Sequence, residues 1–89
     1  MAYGSTTITT ATTLVVEANT RRQMLILVNN SSNICYYGPD ASVTSSNGIP
    51  LYEYSTNENT KSIGGKYLGP IYATAVSSSN AEIRYWEVE

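Results

Sequence analysis

No histidine and no phenylalanine occur in these 89 residues, only one cysteine, and only five basic and seven acidic side chains. Each shortage excludes something. Without histidine the usual general base and the commonest metal ligand are missing. A Ser–His–Asp triad therefore cannot be assembled, and Cys35 has no imidazole to activate it. A structural zinc needs several Cys or His ligands. One cysteine supplies neither that set nor an internal disulfide. Cys35 lies in the apolar run Ile34-Cys35-Tyr36-Tyr37 and reads as a buried, inert thiol. Gly64-Gly65-Lys66 lacks the first glycine and the Ser/Thr of a phosphate loop, and reads as a turn. Carboxylates are the remaining route to acid–base chemistry, but nothing in the spacing of Asp40, Glu53, Glu58, Glu82 and Glu87 brings two together. A calcium site at Asp40 has no dedicated loop around it. The expectation is a chain that is not an enzyme and takes no cofactor or metal.

Charge and hydropathy narrow the partners. The net charge is −2, and the basic residues are scattered, with Arg21–Arg22 the only adjacent pair. A protein held by phosphates shows a concentrated basic patch, so no nucleic-acid partner is expected. No apolar run approaches the roughly 20 residues that cross a bilayer. Met1 to Ser5 lacks the basic-then-apolar pattern of a secretory signal. The chain reads as soluble, without a membrane partner, and the formal sequons at Asn29 and Asn30 carry little weight.

What the chain does contain is eleven Ser, eleven Thr, eight Asn and eight Tyr. Thr and Tyr favour the half-buried surface of a strand, and the helix formers are sparse. No segment repeats apolar residues at i, i+3, i+4, i+7 over two turns. Short strand-like runs recur instead between polar turn clusters. Thr6 to Val16 reads as one strand with Ile8, Leu14 and Val16 on one face. Met24 to Val28 is apolar on both faces and reads as a central strand covered on both sides. Ile34 to Tyr37 ends at Gly38-Pro39-Asp40. Asn47-Gly48 suits a type I′ turn, followed by a strand from Ile49 to Tyr54 and a polar loop from Ser55 to Lys61. Gly64-Gly65 and Gly69-Pro70 bracket a bend. Ile71 to Val76 and Ala81 to Val88 read as a hairpin about Ser77-Ser78-Ser79-Asn80. In its last strand Ile83 and Tyr85 oppose Glu82, Arg84, Trp86 and Val88. About seven short strands at this spacing imply an all-β fold, a small antiparallel β-sandwich or jelly-roll-like barrel. Residues 1–13 form a Thr-rich arm or first strand, and 14–89 a single domain. With no Phe, Tyr36, Tyr52 and Tyr85 are the expected core aromatics.

The order of segments resembles a known group of proteins. The Thr-rich first run ends in Leu14-Val15-Val16, and Arg21-Arg22 precedes Leu25-Ile26-Leu27-Val28-Asn29-Asn30-Ser31. Then come Tyr36 to Leu51, Gly69-Pro70-Ile71-Tyr72-Ala73-Thr74-Ala75, and the strand Ala81 to Glu87. Across almost the whole chain this resembles the β-sandwich capsid decoration (cement) and head-fibre proteins of tailed bacteriophages. The resemblance implies a structural protein made in the bacterial cytoplasm and carried on the capsid surface. It implies binding to the major capsid protein and self-assembly, a trimer being favoured. A head–tail connector or a carbohydrate- or receptor-binding module is the alternative. The uncharged arm suggests strand-type contact with capsid protein, so that removing residues 1–12 would abolish attachment and leave the fold intact. The expected partner-binding residues are Tyr3, Thr6, Ile8 and Thr10 in the arm, Arg21 and Arg22, and the aromatics Tyr54 and Trp86.

Overall fold

The computed structural model describes residues 2–76 and 80–89. Every element among them is a β-strand: β1 (Ala2–Ile8), β2 (Thr13–Val16), β3 (Met24–Asn29), β4 (Cys35–Gly38), β5 (Ile49–Leu51), β6 (Thr60–Gly64), β7 (Ile71–Ala75) and β8 (Ala81–Val88). β1 pairs with β8, β2 with β7, β3 with β6 and β4 with β5, all antiparallel. That is the ladder of one long hairpin bent between β4 and β5. Rolling the hairpin up brings β3 beside β8 and β4 beside β7. Two four-stranded sheets result, β1-β8-β3-β6 and β2-β7-β4-β5, the arrangement of an eight-stranded jelly roll.

Alternation decides which side chains meet between the sheets. The first sheet sends in Ile8, Leu25, Leu27 and Ile83, and the second answers with Cys35, Leu51, Ile71 and Ala73. Burying each of the large aliphatic chains contributes about 1.5–3 kcal/mol. Tyr37 is the buried tyrosine, with Tyr67 and Tyr85 packed at the margin. Tyr36 is only half-buried and Tyr52 exposed, contrary to the expected trio, because Tyr36 alternates to the outer face while Tyr52 follows the end of β5.

Several local expectations change. The run from Thr6 to Val16 is two strands in different sheets, the chain crossing over at residues 9–12. A bulge between Leu14 and Val16 then buries Val15 and Val16 together and leaves Leu14 exposed. The stretch expected to be polar loop up to Lys61 contains the start of β6, an edge strand whose one inward apolar residue, Ile63, produces no periodic signal. The strand from Ile49 stops at Leu51. β7 and β8 exist, but they lie in different sheets and are not a hairpin; Ser77 to Ser79 fall outside the described residues. Gly48 is not in the left-handed region of a type I′ turn. Glycine is needed there because a Cβ would sit 2.7 Å from Val43 and 2.8 Å from Tyr36 and the Thr44 carbonyl.

One end of the sandwich is closed by a buried ion pair. Arg22 Nε donates to Glu87 Oε2 at 2.7 Å. Its remaining nitrogens donate to the carbonyls of Tyr67, Gly69 and Glu17 at 3.1, 2.9 and 2.9 Å. Asn29, fully buried, ties β3 to the second sheet. Its amide donates to the carbonyls of Asn33 and Leu51 at 2.8 and 3.0 Å, and its oxygen accepts from Ser31 Oγ at 2.6 Å. Such groups are tolerated inside because every polar atom finds a partner.

Cys35 is free and fully buried, and burial pushes its thiol pKa from 9.0 up to about 12. At pH 8 the native thiol should alkylate at least about a hundredfold more slowly than in the urea-unfolded chain, because opening controls access. Intact-mass analysis after timed iodoacetamide exposure measures this, and equal rates would mean that Cys35 is accessible. Between pH 9 and about 12 the unfolded thiol ionises while the native one stays protonated. The thiol's contribution to stability is therefore complete below pH 9 and falls as pH rises through that window.

Candidate functional site

The two outer faces of the sandwich differ. On the second sheet, the chain roofs its own outer surface. Residues 39–48 fold back so that Val43, 5% exposed, sits over Gly38 and Gly48. The crossover adds to the roof: Thr10 accepts from Thr74 Oγ1 at 3.1 Å, and Thr12 Oγ1 donates to the Val43 carbonyl at 3.3 Å. Nothing among the described residues roofs the first sheet in this way.

The register lays out that bare face row by row. Tyr3, Trp86, Ile26 and Ser62 lie side by side across β1, β8, β3 and β6. The row on one side holds Val88, Met24 and Gly64; on the other side lie Ser5, Arg84, Val28 and Thr60. Antiparallel sheets normally present a polar outer face, so an apolar centre here is the informative departure. Tyr3 is 84% and Trp86 45% exposed. Charge is confined to one side of the face. Arg84 Nε donates to Glu82 Oε1 at 3.1 Å, and Asn30 Nδ2 donates to the same oxygen at 3.0 Å. These hydrogen bonds, that from Asn30 first, hold the Glu82 carboxyl below its ordinary value.

Of the residues expected to bind a partner, the structure brings Tyr3 and Trp86 together as directly opposed neighbours. Thr6 is half-buried on the inward side of β1, and Thr10 lies exposed in the crossover. Ile8, completely buried, belongs to the core and cannot meet a partner. Arg22 is likewise withdrawn, since its guanidinium is consumed by Glu87 and three carbonyls; only Arg21 faces solvent. Tyr54 is exposed in the turn after β5, its backbone N–H donating to the Ser31 carbonyl at 3.0 Å, and so stands beyond the far end of β3. Met24 and Ile26 were not anticipated as surface residues, whereas the alternation of β8 already sets Val88 with Glu82, Arg84 and Trp86. The signal was the run Met24 to Val28, apolar at successive positions and therefore on both faces. β3 is central, flanked by β8 and β6, but only its Leu25, Leu27 and Asn29 side is covered.

A second feature is an apolar cleft of about 240 Å³ where the sheets part between β5 and β6, walled by Tyr37, Pro39, Ile49, Ile63, Tyr67 and Ile71. The Tyr67 hydroxyl donates to the Pro70 carbonyl, so it offers no free polar group. The carboxylates stay apart. Glu82 and Glu87 point to opposite faces of β8, Glu87 is paired with Arg22, and Asp40 accepts from the hydroxyl and N–H of Ser42. Among the described residues, no three His, Cys, Asp or Glu side chains form a group that could hold a metal ion. No family model, curated protein or solved structure matches this chain.

Proposed function

We propose that this chain is a non-enzymatic structural protein of a tailed-phage particle that docks on the major capsid protein and decorates or stabilises the capsid. The observation that carries the reading is the free edge of β1. The strand runs for seven residues without a charge or a proline, and among the described residues no strand pairs with its outer side. Edge strands are ordinarily blunted by Lys, Pro or bulges because unpaired N–H and C=O groups recruit other chains. An unguarded edge suits strand addition by an extended segment of the capsid protein, the backbone ladder supplying affinity. β1 would do this from within the sheet, rather than as a detached arm. Self-association belongs to the same reading, and the resemblance to decoration proteins implies assembly in threes.

Cosedimentation of the purified protein with capsids of the phage that encodes it tests the reading. Of two adjacent strand residues, one directs its N–H at the neighbouring strand and the other outward. Ser5→Pro and Thr6→Pro therefore separate pairing with β8 from pairing with a partner. The variant whose proline faces outward should keep its fold by circular dichroism and lose capsid binding. Absence of binding by the unmodified protein would remove the capsid reading, and binding that survives the outward proline would remove the strand-edge mechanism.

The juxtaposition of Tyr3 and Trp86 favours one alternative, a glycan- or receptor-binding module, since stacked sugars need exposed rings on one face. The neighbours Met24, Ile26 and Val88 carry no side-chain hydrogen bonders, which suits a protein partner better. Glycan-array binding that Trp86→Ala abolishes would reverse this preference.

A further inference from the structure

We infer that two copies of the chain pair face to face through the bare outer surface of the β1-β8-β3-β6 sheet. This pairing does not depend on capsid attachment, and it stands in place of the assembly in threes that the resemblance implies.

The profile of the face points to a second copy. Its β1–β8 half is tall, carrying Tyr3 and Trp86, while its β6 half is low, carrying Ser62, Gly64 and Thr60. At Gly64 an added Cβ would meet nothing within 4 Å, so this half of the face is open beside Met24. Rotation by half a turn about an axis parallel to the strands and lying in the contact plane sets the order β1-β8-β3-β6 against β6-β3-β8-β1. Tall then meets low on both sides: Tyr3 lies over Ser62 of the other copy, Trp86 over Ile26, and Val88 over Met24. A twofold contact requires such self-complementarity, and facing sheets pack nearly aligned, about 10 Å apart. Charge is compatible, because Arg84 faces Val28 and remains paired with Glu82 on its own strand.

Area agrees with this assignment. A standard interface takes about 800 Å² from each partner, roughly one-sixth of the 5026 Å² of this chain. In a body of 36 × 26 × 18 Å, only a broad face offers that much. Of the two broad faces, the second sheet's is roofed by residues 39–48 and the first sheet's is bare.

Light scattering on the purified full chain, with the fluorescence of Trp86, the sole tryptophan, tests the pairing. The expected mass is that of two chains, dissociating on dilution, with Trp86 emission moving to longer wavelength as the ring meets water. Ser62→Lys is the decisive variant. Its side chain is exposed in the single chain but would lie under Tyr3 of the other copy, so the fold should persist by circular dichroism while the mass falls to one chain. Trp86→Lys should do the same from the tall half. A mass of one chain at every concentration overturns the pairing, as does a stable three-chain mass. A two-chain mass that survives both variants also overturns it, by placing the contact elsewhere. Capsid cosedimentation by a single-chain protein would leave the virion reading standing while removing the pair.

Discussion

Arg22→Met is expected to destabilise the chain by about 3–5 kcal/mol, the cost of removing one partner from a buried ion pair. The methionine retains the apolar stem but strands the Glu87 carboxylate, whose residue is 6% exposed. It also removes the donors to the carbonyls of Tyr67, Gly69 and Glu17. These carbonyls belong to the β6–β7 and β2–β3 connections, so one side chain holds two loops and β8 in place. At about 0.05–0.15 kcal/mol per residue, a domain of this length has roughly 4–13 kcal/mol to lose. The urea midpoint should drop steeply with little change in slope. Arg22→Met combined with Glu87→Leu should recover part of the loss, since no charge is then stranded, but not all, because the three carbonyls remain unpaired. Single-variant destabilisation below about 1 kcal/mol would place the pair in the class of solvent-screened bridges and refute its structural role.

Removal of residues 1–8 is expected to leave a chain that does not fold. This reverses what the Thr-rich, uncharged segment suggests in isolation, that it is a separable arm. β1 pairs with β8 along its whole length, from Ala2↔Glu87 to Ile8↔Ala81. Its last residue, Ile8, is completely buried in the core. Truncating a buried isoleucine to alanine alone costs about 2–5 kcal/mol. Deletion also exposes Ile83 and removes the ladder along β8, each lost hydrogen bond adding about 0.5–1.5 kcal/mol. The sum reaches the stability available to the whole domain. Loss of dispersion in the amide NMR spectrum and of any cooperative thermal transition would register the outcome. A truncated chain that still melts cooperatively would show that β1 is a detachable arm after all.

Much of the local structure was legible beforehand. Alternation in Ala81 to Val88 separated Ile83 and Tyr85 from Glu82, Arg84 and Trp86, and the strand has that arrangement. The burial of Cys35 was read from its apolar neighbours. Among site residues, Tyr3 and Trp86 were named without any indication that they are cross-strand neighbours. Their Cα atoms pair although most of the chain separates them, and no local pattern carries that relation. Arg22 illustrates the converse. Beside Arg21 it looked like a solvated basic pair, and only the arrival of Glu87 and two loops turned it inward.

Local pattern was enough to establish an all-β chain, the positions of β3, β4, β7 and β8 to within about a residue, and the alternation of side chains along β8, whereas β1 and β2 were merged, β5 was drawn too long and β6 was missed. Composition and period are local properties, and they suffice for those conclusions. Tertiary structure alone decided which strands are neighbours, that β7 and β8 belong to different sheets, and which of the two apolar faces of β3 is covered. The reason is physical. The hydrogen-bond ladder is made by backbone groups common to every residue, so a strand's pattern states which face is apolar without stating what will lie against it. Only the rolled hairpin, closing β1 onto β8 and β8 onto β3, assigns Leu25 and Leu27 to the core and leaves Met24 and Ile26 on the surface.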